Sequence, residues 1–156
     1  MNDLSKAEYA KSLFEQGANC AQAVAGAFAA ETGMTEAEAF KLAGGFGGGV
    51  GRLREICGAA SGMVLIMNRL YGSSDISDKD AKDAHYARIQ SVLKEFEAVN
   101  GSLICRELLN LDKGAETPHT SEVRNAGYYR SRPCSMIVAS AAEIMEKYLA
   151  ESPPAV

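Results

Sequence analysis

Apolar residues in this chain recur at three- and four-residue spacing, and most stretches that do so are bounded by helix start and stop signals. Ser5 with Glu8 makes a capping box that opens a first helix, which Gly17 stops. Asn19 caps a second helix over about 20–31, closed by Gly33, and Thr35 with Glu38 opens a third that ends near Gly44. A fourth is predicted to begin around Cys57 and run to Tyr71, with Ala60, Met63, Val64, Met67 and Tyr71 on its buried face. Ser77 with Asp80 starts a long helix through about Val99 that carries Tyr86, Ile89, Leu93 and Phe96 on one side. Ser102 caps a short helix through Leu109, and Pro133 suits the first turn of a last helix reaching about Leu149. No alternating strand pattern of useful length appears, and no internal repeat. The expected fold class is all-α: a compact single-domain bundle of six or seven helices over residues 1–156, with a frayed tail at about 151–156.

Two stretches break the helical period. The first is GGFGGGVGR, residues 44–52. It fits neither nucleotide-binding template: no Lys-Ser/Thr follows the glycines, and Val50 stands where G-x-G-x-x-G counted from Gly45 needs its last glycine. It reads as a tightly turned connection. The alternative is a nest of backbone N–H groups at Gly47, Gly48 and Gly49, with Arg52 and Arg54 adding positive charge to bind an anion or stabilise a thiolate. The second stretch is residues 112–131, the longest without periodicity, where functional loops are often found. Tyr128, Tyr129, Arg130 and Arg132 lie at its end. They suit either a loop packed down by aromatics or a lid whose arginines face an anionic ligand. His119 in this stretch and His85 on the long helix are expected at the surface. Met63, Met67, Met136 and Met145 are expected to fill the core.

Composition narrows the function classes. At 156 residues with 47% apolar content the chain can bury a real core as one domain. Its formal net charge of −4 gives no support to nucleic-acid or anionic-membrane binding. The start MNDLSKAEYAK lacks the apolar core of a secretory signal, and MVLIM (63–67) is too short to span a bilayer. A soluble, cytoplasmic protein without nucleic-acid or membrane partners is expected. No Ser-His-Asp arrangement is legible.

Cys20, Cys57, Cys105 and Cys134 are the remaining candidates, spaced 37, 48 and 29 residues apart. In a reducing compartment structural disulfides are disfavoured, and the absence of any C-x-x-C argues against both a thioredoxin-type motif and a zinc ribbon. Each cysteine falls in the first turn of a predicted helix. Unpaired N–H groups and partial positive charge there favour thiolate, the form that attacks disulfides and binds metals. If the four converge, they can cycle through disulfides or, as a Cys₄ set, ligate zinc or an iron–sulfur cluster. A duller alternative is a helical interaction protein whose cysteines merely pack.

The order Cys20, then CGAASG (57–62), then Cys105 and Cys134 resembles the "putative redox-active" family named for its C-GCAxxG-C-C pattern. The resemblance extends to GGFGGGVGR, to the helix ending in LYG and to ICRELLNLD around Cys105, and covers about residues 5–150. It implies a small prokaryotic protein associated with oxidoreductase or transporter systems. It also implies that Cys20, Cys57, Cys105 and Cys134 carry redox activity, with Gly58 and Gly62 shaping the motif. The leading expectation is thus thiol chemistry toward a redox partner protein or a small thiol or disulfide. Cys57 is expected to be the most reactive sulfur, because its small neighbours leave it approachable. A Cys₄ zinc or iron–sulfur module is the alternative.

Overall fold

A computed structural model describes residues 3–155; Met1, Asn2 and Val156, the ends of the expected domain and its tail, lie outside them. Among the described residues the chain is all-α, with nine α-helices: α1 (Lys6–Glu15), α2 (Cys20–Ala27), α3 (Ala29–Thr32), α4 (Glu36–Ala43), α5 (Gly58–Tyr71), α6 (Lys79–Asn100), α7 (Cys105–Leu108), α8 (Ala126–Ser131) and α9 (Cys134–Glu151). A 3₁₀ turn, Gly44–Phe46, follows α4.

The count of six or seven is corrected for two physical reasons. The segment expected as one helix over 20–31 breaks at Phe28, where φ −107° and ψ 17° leave the helical region, so α2 and α3 are separate. The aperiodic stretch also holds a short helix, α8, whose start Asn125 caps by accepting from the Tyr128 N–H. The three capping boxes at Ser5, Asn19 and Thr35 form, each with its N3 partner reaching back. Asp78, rather than Ser77, caps α6, and Ile104, rather than Ser102, precedes α7. Ser102 instead accepts from the Ile104 N–H and donates to Glu107.

Helix α2 is the hub. Its Ala21, Ala23, Val24, Ala25, Gly26 and Ala27 are all buried, so it is apolar around its circumference and must be surrounded. Helices α1, α4, α5 and α9 pack on it. The small residues set how closely: a Cβ at Gly62 would lie 3.0 Å from both the Ala21 carbonyl oxygen and Val24 Cβ. Phe14, Phe28, Met63, Ile66, Met67, Phe96 and Met145 fill the space between helices. Met136, expected in the core, is instead 67% exposed, because it begins α9 on the side away from α1 and α2. Helix α6 lies outside, with Val92 and Phe96 its buried residues and Tyr86 exposed. Its length is stabilised by few core contacts. The Tyr71 hydroxyl donates to the Ser152 carbonyl at 2.6 Å, so the start of the expected frayed tail is fastened. Among the described residues no helix is long and apolar enough to cross a membrane.

Candidate functional site

The starts of α2, α5, α7 and α9 meet around one cavity of about 300 Å³, and all four cysteines line it. Cys20, Cys105 and Cys134 are the first residues of α2, α7 and α9, and Cys57 is the N-cap of α5. Two separate devices bring them together.

The first device is a backbone bridge. Ile56 and Ile104 form an isolated antiparallel pair. The Cys57 N–H donates to the Leu103 carbonyl at 2.7 Å and the Cys105 N–H to the Glu55 carbonyl at 2.6 Å. Cys57 and Cys105 are thereby fixed side by side although 48 residues separate them. The glycine loop feeds this bridge. Gly48, Gly49, Val50, Gly51 and Arg52 run consecutively with φ between 57° and 74°, a left-handed turn, and Arg54 follows at 65°. Glycine is needed at Gly49 on two counts: its φ is positive, and a Cβ there would lie 2.7 Å from Cys105 Cβ and 2.6 Å from the Glu55 nitrogen. Val50, Arg52 and Arg54 hold the same conformation at a cost of about 1–2 kcal/mol each. The N–H groups from Val50 to Glu55 bond carbonyls of residues 45–50. Those six N–H groups are committed within the loop; Gly47 and Gly48 of the expected nest line the cavity, together with the Arg52 and Arg54 side chains.

The second device is helix packing. Asn19 accepts from the Gln22 N–H to cap α2 and donates to the Gly44 carbonyl at 2.9 Å, which ties the glycine loop to the helix that starts at Cys20. Gly58 lets α5 approach: a Cβ there would be 3.0 Å from the Phe46 carbonyl oxygen and 3.1 Å from Cys20 Cβ. The small residues after Cys57 therefore serve contact between helices. They do not expose the sulfur, since Cys57 is only 5% exposed. Cys20 and Cys134, both half-buried, meet at the cavity from the α2 and α9 starts, close enough for the ionisation of one to act on the other.

All four are free thiols, and their acidities differ. The pKa of Cys134 falls to about 7: the hydrogen bond from Cys20 holds its thiolate, and Arg132, Arg54 and Arg124 add favourable charge against burial. Cys20 is held well above the ordinary thiol range, first by that same bond, in which it keeps the proton, and then by burial and the neighbouring negative charge. Burial pushes Cys57 up to about 12, although the N–H groups of Ala59 and Ala60 point at its sulfur and pull the other way. Cys105 is also raised by burial, and the Arg54 guanidinium, with Nη1 3.7 Å from its sulfur, limits the rise. A helix start by itself did not decide acidity. The expectation that small neighbours leave Cys57 approachable is corrected, because its sulfur is buried against the starts of α2 and α5, and that burial also raises its pKa.

The rest of the wall comes from the glycine loop and from the aperiodic stretch with the residues that follow it. Arg52, Arg54, Arg124, Arg132, Glu122 and His119 line the cavity. Arg124 and Glu122 are not foreseen by the sequence; the one available signal is their place in the irregular segment. Arg124 donates to the Phe14 and Ala18 carbonyls at 2.7 and 3.0 Å, at the C-terminal end of α1 where a cation is favoured. The Tyr129 hydroxyl donates to the Glu15 carbonyl at 3.0 Å, and its ring packs edge-on to Phe14. Arg52 donates to the Pro118 and Thr120 carbonyls. The stretch is thus fastened by aromatics and arginines, with Tyr128 and Arg132 turned to the cavity and Tyr129 to α1. Arg130 is exposed and does not line it. His85 is half-buried rather than solvated, with Nε2 2.7 Å from Asn68 Oδ1, and lies apart from the cysteines.

A Cys₄ metal or cluster site gathers its sulfurs at about 2.3 Å around one point. Among the described residues no group of three or more His, Cys, Asp or Glu is placed to hold a metal ion. The four thiols line a common space without forming such a donor set.

A family model described as "Putative redox-active protein (C_GCAxxG_C_C)" matches residues 18–148, a span that holds all four cysteines. No curated protein and no solved structure matches the chain.

Proposed function

Since the chain belongs to the family of putative redox-active proteins of the C_GCAxxG_C_C type, we propose that its redox role is thiol–disulfide exchange at the Cys20–Cys134 pair. The observation that carries this reading is geometric: Cys20 and Cys134 are the two cysteines that are not buried, they meet at one cavity, and Arg54, Arg124 and Arg132 line it beside them, lowering the pKa of Cys134. The Cys134 thiolate attacks one sulfur of a substrate disulfide. An S–S bond forms to that half, and the other half leaves as a thiolate that takes up a proton. Cys134 has then lost its negative charge and can no longer accept from Cys20. The two influences of Cys134 that hold the Cys20 proton disappear together. Cys20 gives up its proton, attacks Cys134, and releases the second half as a thiol. Two protein thiols become one disulfide while one substrate disulfide becomes two thiols. Cys57 and Cys105, buried and poorly acidic, frame the pair.

The pairing is tested by treating the reduced protein with one equivalent of hydroxyethyl disulfide, blocking remaining thiols and mapping the peptides. A Cys20–Cys134 disulfide with Cys57 and Cys105 blocked is expected. A Cys57–Cys105 bond, or four blocked thiols, sinks the reading.

A further inference from the structure

The cavity wall carries more positive charge than its neighbours neutralise. Arg52 and Arg132 share a single carboxylate, Glu122. Arg124 is held by two backbone carbonyls and lies over the rings of Phe14 and Tyr128, with the guanidinium 4.5 and 5.2 Å from their centroids. These contacts fix its position without cancelling its charge. Arg54 is 8% exposed, donates to the Cys105 sulfur, and belongs to none of the ion pairs among the described residues. A guanidinium removed from water without a counter-charge is costly. The Cys134 thiolate answers one of these two cations and leaves the other. The excess is local, since the whole chain carries a formal net charge of −4.

We infer that the cavity takes a small disulfide bearing carboxylates, seated by Arg54 and Arg124 beside the sulfur pair. A guanidinium is the cation whose planar fork matches a carboxylate in two parallel hydrogen bonds. A cavity of about 300 Å³ is at the lower end of ligand-site volumes and admits a compact acidic group with its sulfur. The inference rests on the exchange chemistry proposed above and adds the charge of the substrate. The same wall turns away cationic disulfides, because the amine of such a molecule meets guanidiniums.

The test is single-turnover oxidation of the reduced protein by glutathione disulfide (anionic), hydroxyethyl disulfide (neutral) and cystamine (cationic), each normalised to its rate with free mercaptoethanol. Glutathione disulfide is expected to react roughly tenfold or more faster than the neutral probe, and cystamine more slowly than it, with the spread shrinking at high salt. R54Q lowers the glutathione-to-neutral ratio, and R54K restores part of it; R124Q lowers it too but also removes two backbone contacts, so the Arg54 variants decide. A wild-type ratio near one, or one unmoved by R54Q, overturns the inference while leaving thiol exchange standing. If no probe oxidises the protein, exchange fails, and calorimetry with S-methylglutathione still reads the anion site. Binding heat that R54Q removes supports the site, and no heat overturns it.

Discussion

Cys134 and Cys57 both stand at the start of a long helix and line the same cavity, yet one ionises near pH 7 and the other holds its proton to about 12. The helix start offers each sulfur a similar partial charge. At Cys57 that charge acts through two N–H groups and is outweighed by burial among Ala59, Ala60 and the α2 residues. At Cys134 the hydrogen bond from Cys20 and three arginines outweigh burial. Each pKa unit is about 1.4 kcal/mol, so the gap reflects several kcal/mol of difference in environment for one residue type. Position in a helix proposes a reactive cysteine; burial and neighbouring charge decide which one it is.

The comparison is broken most directly by alkylation. With the Cys134 pKa lowered toward 7 and that of Cys57 pushed up to about 12, site-resolved iodoacetamide labelling at pH 7 is expected to favour Cys134 at least about 10³-fold. Equal rates, or Cys57 first, would end the assignment. Next comes loss of the nucleophile. Cys134→Ser is expected to slow hydroxyethyl disulfide reduction at least about 100-fold and Cys57→Ser less than about tenfold, and a larger loss in Cys57→Ser would exchange their roles.

The packing side of the comparison is sharpened with glycines. Gly49→Ala, strained in φ and pressed against Cys105, is expected to cost about 2–4 kcal/mol in urea unfolding. Gly58→Ala, meeting Cys20, is expected to cost about 1–3 kcal/mol. Gly45→Ala has no heavy atom within 4 Å of the new Cβ and stays within about 0.5 kcal/mol. A costly Gly45→Ala beside a neutral Gly58→Ala would contradict this account of the loop.

The smallest effect is on stability against pH. The folded pKa of Cys134 lies at about 7, below its ordinary value of 9.0. Its contribution is therefore complete above pH 9 and lost as pH falls through 7. The raised thiol of Cys57 acts in the opposite sense: its contribution is present below pH 9 and lost as pH rises toward about 12. Urea midpoints of the reduced protein should climb from pH 7 to 9 and fall beyond it, and Cys134→Ser should flatten the climb. A climb that persists in that variant assigns it to another group.

Most of the fold was legible in the chain. The Ser5 and Thr35 capping boxes, the Asn19 cap and the Gly33 stop are local chemistry that neighbours in sequence complete. The break at Phe28 was not, because the one glycine near it, Gly26, is packed inside α2 and no proline follows. Nor was helix α8, where a six-residue element has too few turns to show a period.

The candidate site divides in the same way. The sequence by itself determined that each of the four sulfurs stands at a helix start, because caps, glycines and the four-cysteine order are written locally. Only the tertiary structure decided that Cys134 and Cys20 stand half-buried at one cavity, that Cys57 is shut in, and that Arg124 and Arg54 reach that cavity. Burial and charge act through space, and the groups that set them lie far apart in the chain, 110 residues for Arg124 and the Phe14 carbonyl.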